Sequence, residues 1–503
     1  MMKKRKYSFT VGGLLLCCSS LSSAFTEVQS QPTYFAPLRE KLPNEDFLFV
    51  QPEPIKIQDT DVIPAVGIIS HNTLHVEQLM YQPELLTHLL ISSLQSNHQQ
   101  AVILLLPVYQ RLSQPNEFLL QWAKAVVAVT ERDFSTAIRL YRGLISENPQ
   151  LFTVRLQLAI ALFGDKQYVA AQEQFEKLVA SSPTEQFTRL IASYQELLKR
   201  QNYWEINGGF TYLNEDNINN APKLGTQSGF WKSTEQPENA QGINYFFLAS
   251  KKWALSRGFF TAFSLESHGK YYWDNKKYNE IQIRSGLGIG YQNHQYEISL
   301  TPFVEQSWYA GGPRGSIQGT LHRHSITLGS RVNSEIQLSP HWKINSIFEY
   351  AKLNYIQRKN LNGQSQYATM LLHYLPSGKQ YWFGGIDLYR KTAQQKAAQY
   401  IRYSLKLGWG QEWPKGISSR LSVYYARRNY AAPLASPDAF LPKFYKEKQK
   451  NREYGISATI WHRGIHFWGI TPKITWSYQR IKSNNLFDNY DRHQVFLNFN
   501  KTF

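Results

Sequence analysis

The sequence predicts a chain of the α plus transmembrane β class. An N-terminal helical-repeat solenoid is followed by a fourteen-stranded antiparallel β-barrel of the outer-membrane type. Three observations predict it. Residues 203–503 fall into runs that alternate apolar and polar with a period of two. The links between those runs are short at one end and long at the other. Residues 84–200 instead carry a 34-residue period of small and aromatic residues.

The chain opens on a stretch of signal-peptide character. Lys3, Lys4, Arg5 and Lys6 precede the apolar run Val11–Cys18, and Ser22-Ser23-Ala24 offers small residues for cleavage after Ala24. Residues 1–24 are therefore expected to be a signal peptide. Cys17 and Cys18 raise a lipoprotein reading, but the preceding Leu16 and Cys17 are poor matches for it. These are the only 2 cysteines, so the remaining chain has no disulfide, thiol nucleophile or Cys-based metal site. Residues 25–83 carry scattered prolines and weak periodicity, which predicts an extended leader or linker.

Residues 84–202 form the predicted periplasmic repeat domain. Pro115, Pro149 and Pro183 recur every 34 residues. So do the pairs Ala125/Ala159, Phe134/Tyr168, Ala137/Ala171, Tyr141/Phe175 and Leu144/Leu178. Small residues let paired helices approach, aromatics fill the gap, and proline ends the second helix. This resembles the tetratricopeptide repeat, with copies at Asn116–Pro149 and Gln150–Pro183 and a degenerate one before them, where Pro107 is expected to break the pattern. Leu190–Arg200 is expected to cap the array. Such repeats present a concave face built mainly from the first helix of each pair. Gln121, Lys124, Arg155 and Gln157 are the expected docking residues on it.

Residues 203–503 form the predicted barrel, from Tyr203–Leu213 to Asp491–Phe503. In Ile281–Tyr291 one face carries Ile281, Ile283, Leu287, Ile289 and Tyr291, and the other carries Gln282, Arg284, Gly286, Gly288 and Gly290. The run Phe467–Ile481 alternates likewise. Ser256-Arg257-Gly258, Asn293-His294-Gln295 and Gly464-Ile465-His466 are tight links, whereas Asn214–Ile243, Ala310–Thr320 and Ala431–Asn451 are long. Aromatic girdles are expected at Trp253, Tyr271, Trp273, Trp308, Tyr309, Trp342, Trp409 and Trp413. Val495, Leu497, Phe499 and Phe503 share one face of the last run, which resembles the terminal strand read by the outer-membrane assembly machinery. No apolar span of about 18 residues follows the leader, which excludes a helical membrane crossing.

Charge is divided unevenly. Residues 25–202 hold 14 basic and 18 acidic side chains, whereas residues 203–503 hold 37 and 19. Arg284, Arg331, Arg402, Lys406, Arg420 and Lys473 fall on the polar, lumen-facing side, which predicts a lumen attractive to anionic passengers. Lys443, Lys446, Lys448, Lys450 and Arg452 lie in or beside a long loop. They form either a solvated face or a contact for lipopolysaccharide phosphates. Nucleic acid is a poor partner for a secreted barrel.

Little in the sequence carries chemistry. Gly311–Gly315 is glycine-rich but opens no helix. His322 and His324 share a strand face without an evident carboxylate partner. Neither a Gly-x-Ser-x-Gly elbow nor a paired-carboxylate constellation is present. No enzyme, no metal site and no cofactor are expected.

The combination of leader, short repeat array and fourteen-strand barrel ending in Asn500-Lys501-Thr502-Phe503 resembles the surface lipoprotein assembly modulator (Slam) family. The barrel's opening run, Tyr203-Trp204-Glu205-Ile206-Asn207-Gly208-Gly209-Phe210, adds to the resemblance, which extends from about Glu84 onward. It implies an outer-membrane translocator that moves client proteins to the cell surface or exterior. The implied clients are surface lipoproteins and secreted haem- or iron-capture proteins, with a periplasmic chaperone as a further partner. A polysaccharide exporter with tetratricopeptide repeats and a nutrient porin are the alternatives. The short array disfavours the first, and a porin needs no docking platform.

Overall fold

The computed structural model describes residues 76–181, 184–219, 221, 225–228, 231–232, 236–311, 318–435, 443–465, 467 and 470–502. The expected signal peptide, most of the linker, Pro183 and Phe503 lie outside the described residues.

Among the described residues seven α-helices form the N-terminal domain: α1 (Pro83–Gln95), α2 (Gln99–Tyr109), α3 (Glu117–Thr130), α4 (Phe134–Glu147), α5 (Phe152–Gly164), α6 (Tyr168–Ala180) and α7 (Glu185–Arg200). The first six form three hairpins, and each hairpin turns through one residue in the left-handed region: Asn97 (φ 52°), Arg132 (φ 62°) and Lys166 (φ 59°). Helix starts are capped by side chains. The Asn116 Oδ1 accepts from Leu119 N at 3.2 Å and the Asp133 Oδ1 from Thr136 N at 3.1 Å. Hydrogen bonding from Thr136, led by its side chain, holds the Asp133 carboxyl below the usual carboxylate range.

The 34-residue pairs fill the core. Ala125, Ala137, Tyr141, Leu144, Ala159, Ala171, Phe175 and Leu178 are all fully or almost fully buried. The continuous core runs from Leu79 to Leu198. Pro107 does not break the first repeat as expected. Helix α2 continues through it to Tyr109, because only its last turn meets the missing N–H.

The barrel strands are β1 (Glu205–Glu215), then, after the small loop hairpin β2 (Gln227–Ser228) and β3 (Trp231–Lys232), β4 (Ala240–Ala254), β5 (Phe259–Tyr272), β6 (Glu280–Gln292), β7 (Tyr296–Tyr309), β8 (His322–Ser339) and β9 (Trp342–Tyr355). They continue with β10 (Gly363–Ser377), β11 (Gln380–Lys391), β12 (Tyr400–Glu412), β13 (Ile417–Tyr430), β14 (Lys450–His462), β15 (Thr471–Ser483) and β16 (Tyr490–Thr502), with the short helix α8 (Lys443–Lys446) in the loop before β14. Each strand pairs antiparallel with its neighbours, and β1 pairs with both β4 and β16 to close a fourteen-strand barrel. The short links gather at the end where β1 begins, here called the turn end. The long links gather at the opposite, loop end.

The period of two sets which side chains face outward. Leu287 and Ile289 on β6, and Leu405 and Leu407 on β12, are exposed on the outer wall. Glycines on the inner wall make room for rings from the next strand. At Gly408 a Cβ would lie 2.0 Å from Cζ of Phe383, and at Gly290 it would lie 2.3 Å from Cζ of Phe260.

Two expectations are corrected. Tyr309 is not a girdle residue: it is buried on the inner wall, 5.7 Å from the His324 ring. Adjacent strand residues face opposite sides, so Trp308 and Tyr309 cannot both meet lipid. Strand β15 begins at Thr471 rather than Phe467, because Phe467 and Ile470 first close on each other through an isolated two-bond bridge of 2.9 and 3.0 Å.

Candidate functional site

Three features are built by this fold: a grooved helical platform, a charged inner wall, and a short closing seam.

On the platform, one groove of about 590 Å³ runs between α2, α3 and α4. Leu106, Val127 and Leu140 supply its apolar lining, and Glu117, Lys124, Glu131 and Arg139 its charged rim. Gln121 and Lys124, both expected docking residues, line this groove. A second, of about 390 Å³, lies between α4, α5 and α6 and includes Arg155. Arg155 is tied within the domain, donating to Gln174 Oε1 at 2.9 Å and to the Pro149 carbonyl at 2.7 Å.

Gln157 must be withdrawn from the docking face. It is buried, accepts from Trp122 Nε1 at 2.6 Å, and donates to the Leu94 carbonyl at 3.0 Å and to Asn97 Oδ1 at 3.2 Å. It stitches the three hairpins together. Gln157→Leu leaves the Trp122 N–H and the Leu94 carbonyl without this partner inside the core. A buried group so deprived costs about 1–3 kcal/mol. The helical unfolding transition, followed by circular dichroism of the full chain in detergent, should move to lower temperature. An unchanged transition would remove the structural role.

The platform meets the barrel at its turn end. His294, in the β6–β7 turn, places Nδ1 3.0 Å from Asp165 Oδ1. Its ring packs edge-on against Phe134 at 5.2 Å, and Gln292 reaches the Lys166 carbonyl at 3.5 Å. The left-handed turn at Lys166 projects this helical corner onto the barrel. Asp165 and His294 were not legible as partners. A tight turn containing histidine carries no sequence sign of what it touches.

On the inner wall, the expected lumen cations face inward, and Arg284, Arg331, Arg402 and Lys406 sit against carboxylates. Arg284 binds Glu305 at 2.7 Å and Glu349 at 2.9 Å. Arg331 binds Glu349 at 2.8 Å and Glu266 at 3.1 Å. Arg402 binds Glu453 at 2.8 Å and Lys406 binds Asp387 at 2.7 Å. Arg420 lies over the Phe383 ring at 5.2 Å and Lys473 over Trp461 at 5.2 Å. Four of the expected cations are thus locally neutralised by carboxylates on nearby strands. Paired charges satisfy each other and brace the wall from β5 to β9, because leaving either partner alone in a desolvated setting is costly. His324 stands between the Tyr309 and Tyr355 rings, at 5.7 and 5.4 Å. Among the described residues no group of three potential metal ligands converges.

The seam between β1 and β16 is short. Among the described residues five register pairs join them, from Asn207–Thr502 to Thr211–Asn498. Every other interface has eleven to fourteen pairs. The ladder occupies the turn-end half. Beyond Thr211, residues Tyr212–Glu215 continue pairing with β4 and have no register partner on β16 among the described residues. Polar side-chain contacts reinforce the closure: Thr211 Oγ1 donates to Asn498 Oδ1 at 2.6 Å, and Arg492 meets Glu215 at 3.0 Å. Val495 and Leu497 are exposed on the outer wall of β16, and Phe499 stacks on Phe210 at 4.8 Å.

A closed outer-membrane barrel with a helical-repeat platform held at its turn end defines the class. The surface lipoprotein assembly modifier model matches residues 204–503, and the model for that family's N-terminal TPR repeats matches residues 72–175. The chain belongs to this family. A surface lipoprotein assembly modifier of Pasteurella multocida is 46% identical over 435 residues, spanning 86% of this chain and 85% of the relative. Surface lipoprotein assembly modifier 1 of Haemophilus influenzae is 43% identical, spanning 85% and 86%. A hemophilin secretion modulator of Acinetobacter baumannii is 21% identical across 96% of this chain and 98% of its own length.

Proposed function

We propose that this chain is an outer-membrane translocator that carries client proteins, surface lipoproteins or secreted haemophore-type proteins, from the periplasm to the cell surface or exterior. The helical domain (residues 84–202) lies in the periplasm, and the barrel (residues 203–503) spans the membrane with its long loops outside. One observation carries the reading beyond family membership: the grooved platform is fixed by the Asp165–His294 contact against the turn end of a barrel whose closing seam is only half laddered. A client held in the groove lined by Gln121 and Lys124 is thereby presented to the barrel.

The same reading supplies the partners. A periplasmic chaperone delivers the client unfolded. The assembly machinery recognises the terminal strand through Val495, Leu497, Phe499 and Phe503. Lysines of the loop before β14, Lys443, Lys446 and Lys448, face the lipopolysaccharide layer. The chain acts without a cofactor and without catalysis. Transport of an unfolded client by the purified chain, reconstituted in liposomes, is the experiment that tests the reading.

A further inference from the structure

At the loop end of the barrel, three cations stand side by side on the outer wall. Arg427 on β13 is in direct register with Arg452 on β14, and Arg452 is in register with Lys482 on β15. All three are exposed and share the outward parity of Tyr425, Tyr454 and Trp476. Directly opposed residues on neighbouring strands lie roughly 5 Å apart at Cα, so the row places three positive charges within about 10 Å. Like charges placed so oppose pairing unless an anion lies between them.

The inner wall at this level handles charge differently. Asn451 and Glu453 flank Arg452 in sequence and point inward, where Glu453 takes Arg402 at 2.8 Å and Arg428 at 3.0 Å. Outside, none of the three cations has an ion pair among the described residues. Asp491, an outward carboxylate on β16, stands opposite Arg480 rather than opposite the row.

The depth of the row identifies its ligand. Below it the outer walls of β13 and β14 are apolar, with Leu421, Val423 and Tyr425 on β13 and Ile456 and Tyr454 on β14, while on β15 the outward Arg480 stands level with Tyr454 and opposite Asp491. Tyr425 and Tyr454, with rings 5.3 Å apart, form the last apolar step. On β13 and β14 the row begins one pleat higher, about 7 Å along the strand, and on β15 the cation one step below it, Arg480, is answered by Asp491. That is where acyl chains give way to headgroups. A lipid whose chains lie on this wall therefore brings its phosphates to the row, which a soluble anion would reach without using the wall. Three cations exceed what one phosphate needs.

We propose that Arg427, Arg452 and Lys482 form a binding site for a bisphosphorylated glycolipid of the outer leaflet, the lipid A portion of lipopolysaccharide. The site takes Arg452 from the cluster beside the long loop and sets it on the strand wall with Arg427 and Lys482, apart from Lys443, Lys446 and Lys448. It rests on the proposed orientation of the barrel, with its loop end outside. It anchors β13–β15, the strands that lead into β16 and the seam, to the outer leaflet.

The test uses the full chain in detergent micelles, with no client present, so its outcome is independent of translocation. Retention of bisphosphoryl lipid A is measured by native mass spectrometry for the unaltered protein and for Arg427→Gln/Arg452→Gln/Lys482→Gln. Retention by the variant should fall about tenfold, as expected when several charge-assisted hydrogen bonds are lost. Lys352→Gln/Arg390→Gln removes two outward cations whose register neighbours are uncharged, and it should leave retention unchanged. Both variants must show the heat-modifiable gel mobility of a folded barrel.

Dephosphorylated lipid A should bind the unaltered protein no better than bisphosphoryl lipid A binds the triple variant. Equal retention by the unaltered protein and the triple variant would overturn the site. So would phosphatidylglycerol binding as tightly as lipid A, or full displacement by millimolar inorganic phosphate. Each of these would show that the row does not select a bisphosphorylated lipid. A protein that retains lipid A yet fails to transport clients would refute the translocator reading and leave this site standing.

Discussion

A disulfide between Thr211→Cys and Asn498→Cys stops client delivery, and a reducing agent restores it. These two residues form the last register pair of the seam, and their side chains already meet at 2.6 Å. The barrel has no cysteine of its own, since both cysteines of the sequence lie at positions 17 and 18. Among the described residues, opening β1 from β16 breaks five register pairs, whereas opening any other interface breaks at least eleven. Backbone groups parted within a membrane have no water to satisfy them, so the shortest ladder is the least costly to open. The control is Ser404→Cys/Ala426→Cys, a register pair between β12 and β13. It should cross-link the wall without reducing surface exposure of the client, as measured by external protease. Delivery through an oxidised, fully cross-linked seam would rule out the seam as the gate.

Deleting residues 84–200 produces a loss of equal size by a different route. The helical core contains no barrel residue, and the barrel ladder closes without the helices. The truncated chain should therefore still insert and show heat-modifiable mobility, while surface exposure of the client falls to the level of cells lacking the protein. Undiminished exposure would end the docking role of the platform.

These expectations draw on features that were unequally legible in the sequence. The repeat domain was readable because its core uses residues whose size alone places them. Ala125 and Ala159 must sit where helices touch, and Tyr141 and Phe175 where they gap. The barrel was readable because a two-residue period has no helical counterpart. Gln157 was misplaced because a glutamine in a first helix suits a docking face as well as a buried bridge. Trp122, its partner, lies 35 residues away.

The pairing of the lumen cations was hidden for the same reason. The carboxylates that answer Arg284 and Arg331 come from up to 65 residues away, on other strands. The half-laddered seam has no local signature at all. It arises from the offset between the first and last strands, which only closure of the barrel sets. The Arg427–Arg452–Lys482 row likewise depends on register across one long loop and one turn.

The most direct measurement is transport by the purified chain. Liposomes carrying it receive a surface lipoprotein held unfolded by a periplasmic chaperone, and external protease is then added. Client protected inside the vesicles, only when this chain is present and its seam is free to open, is the expected result. Client that stays fully digestible, while the same liposomes pass ions or a sugar polymer, would contradict protein translocation.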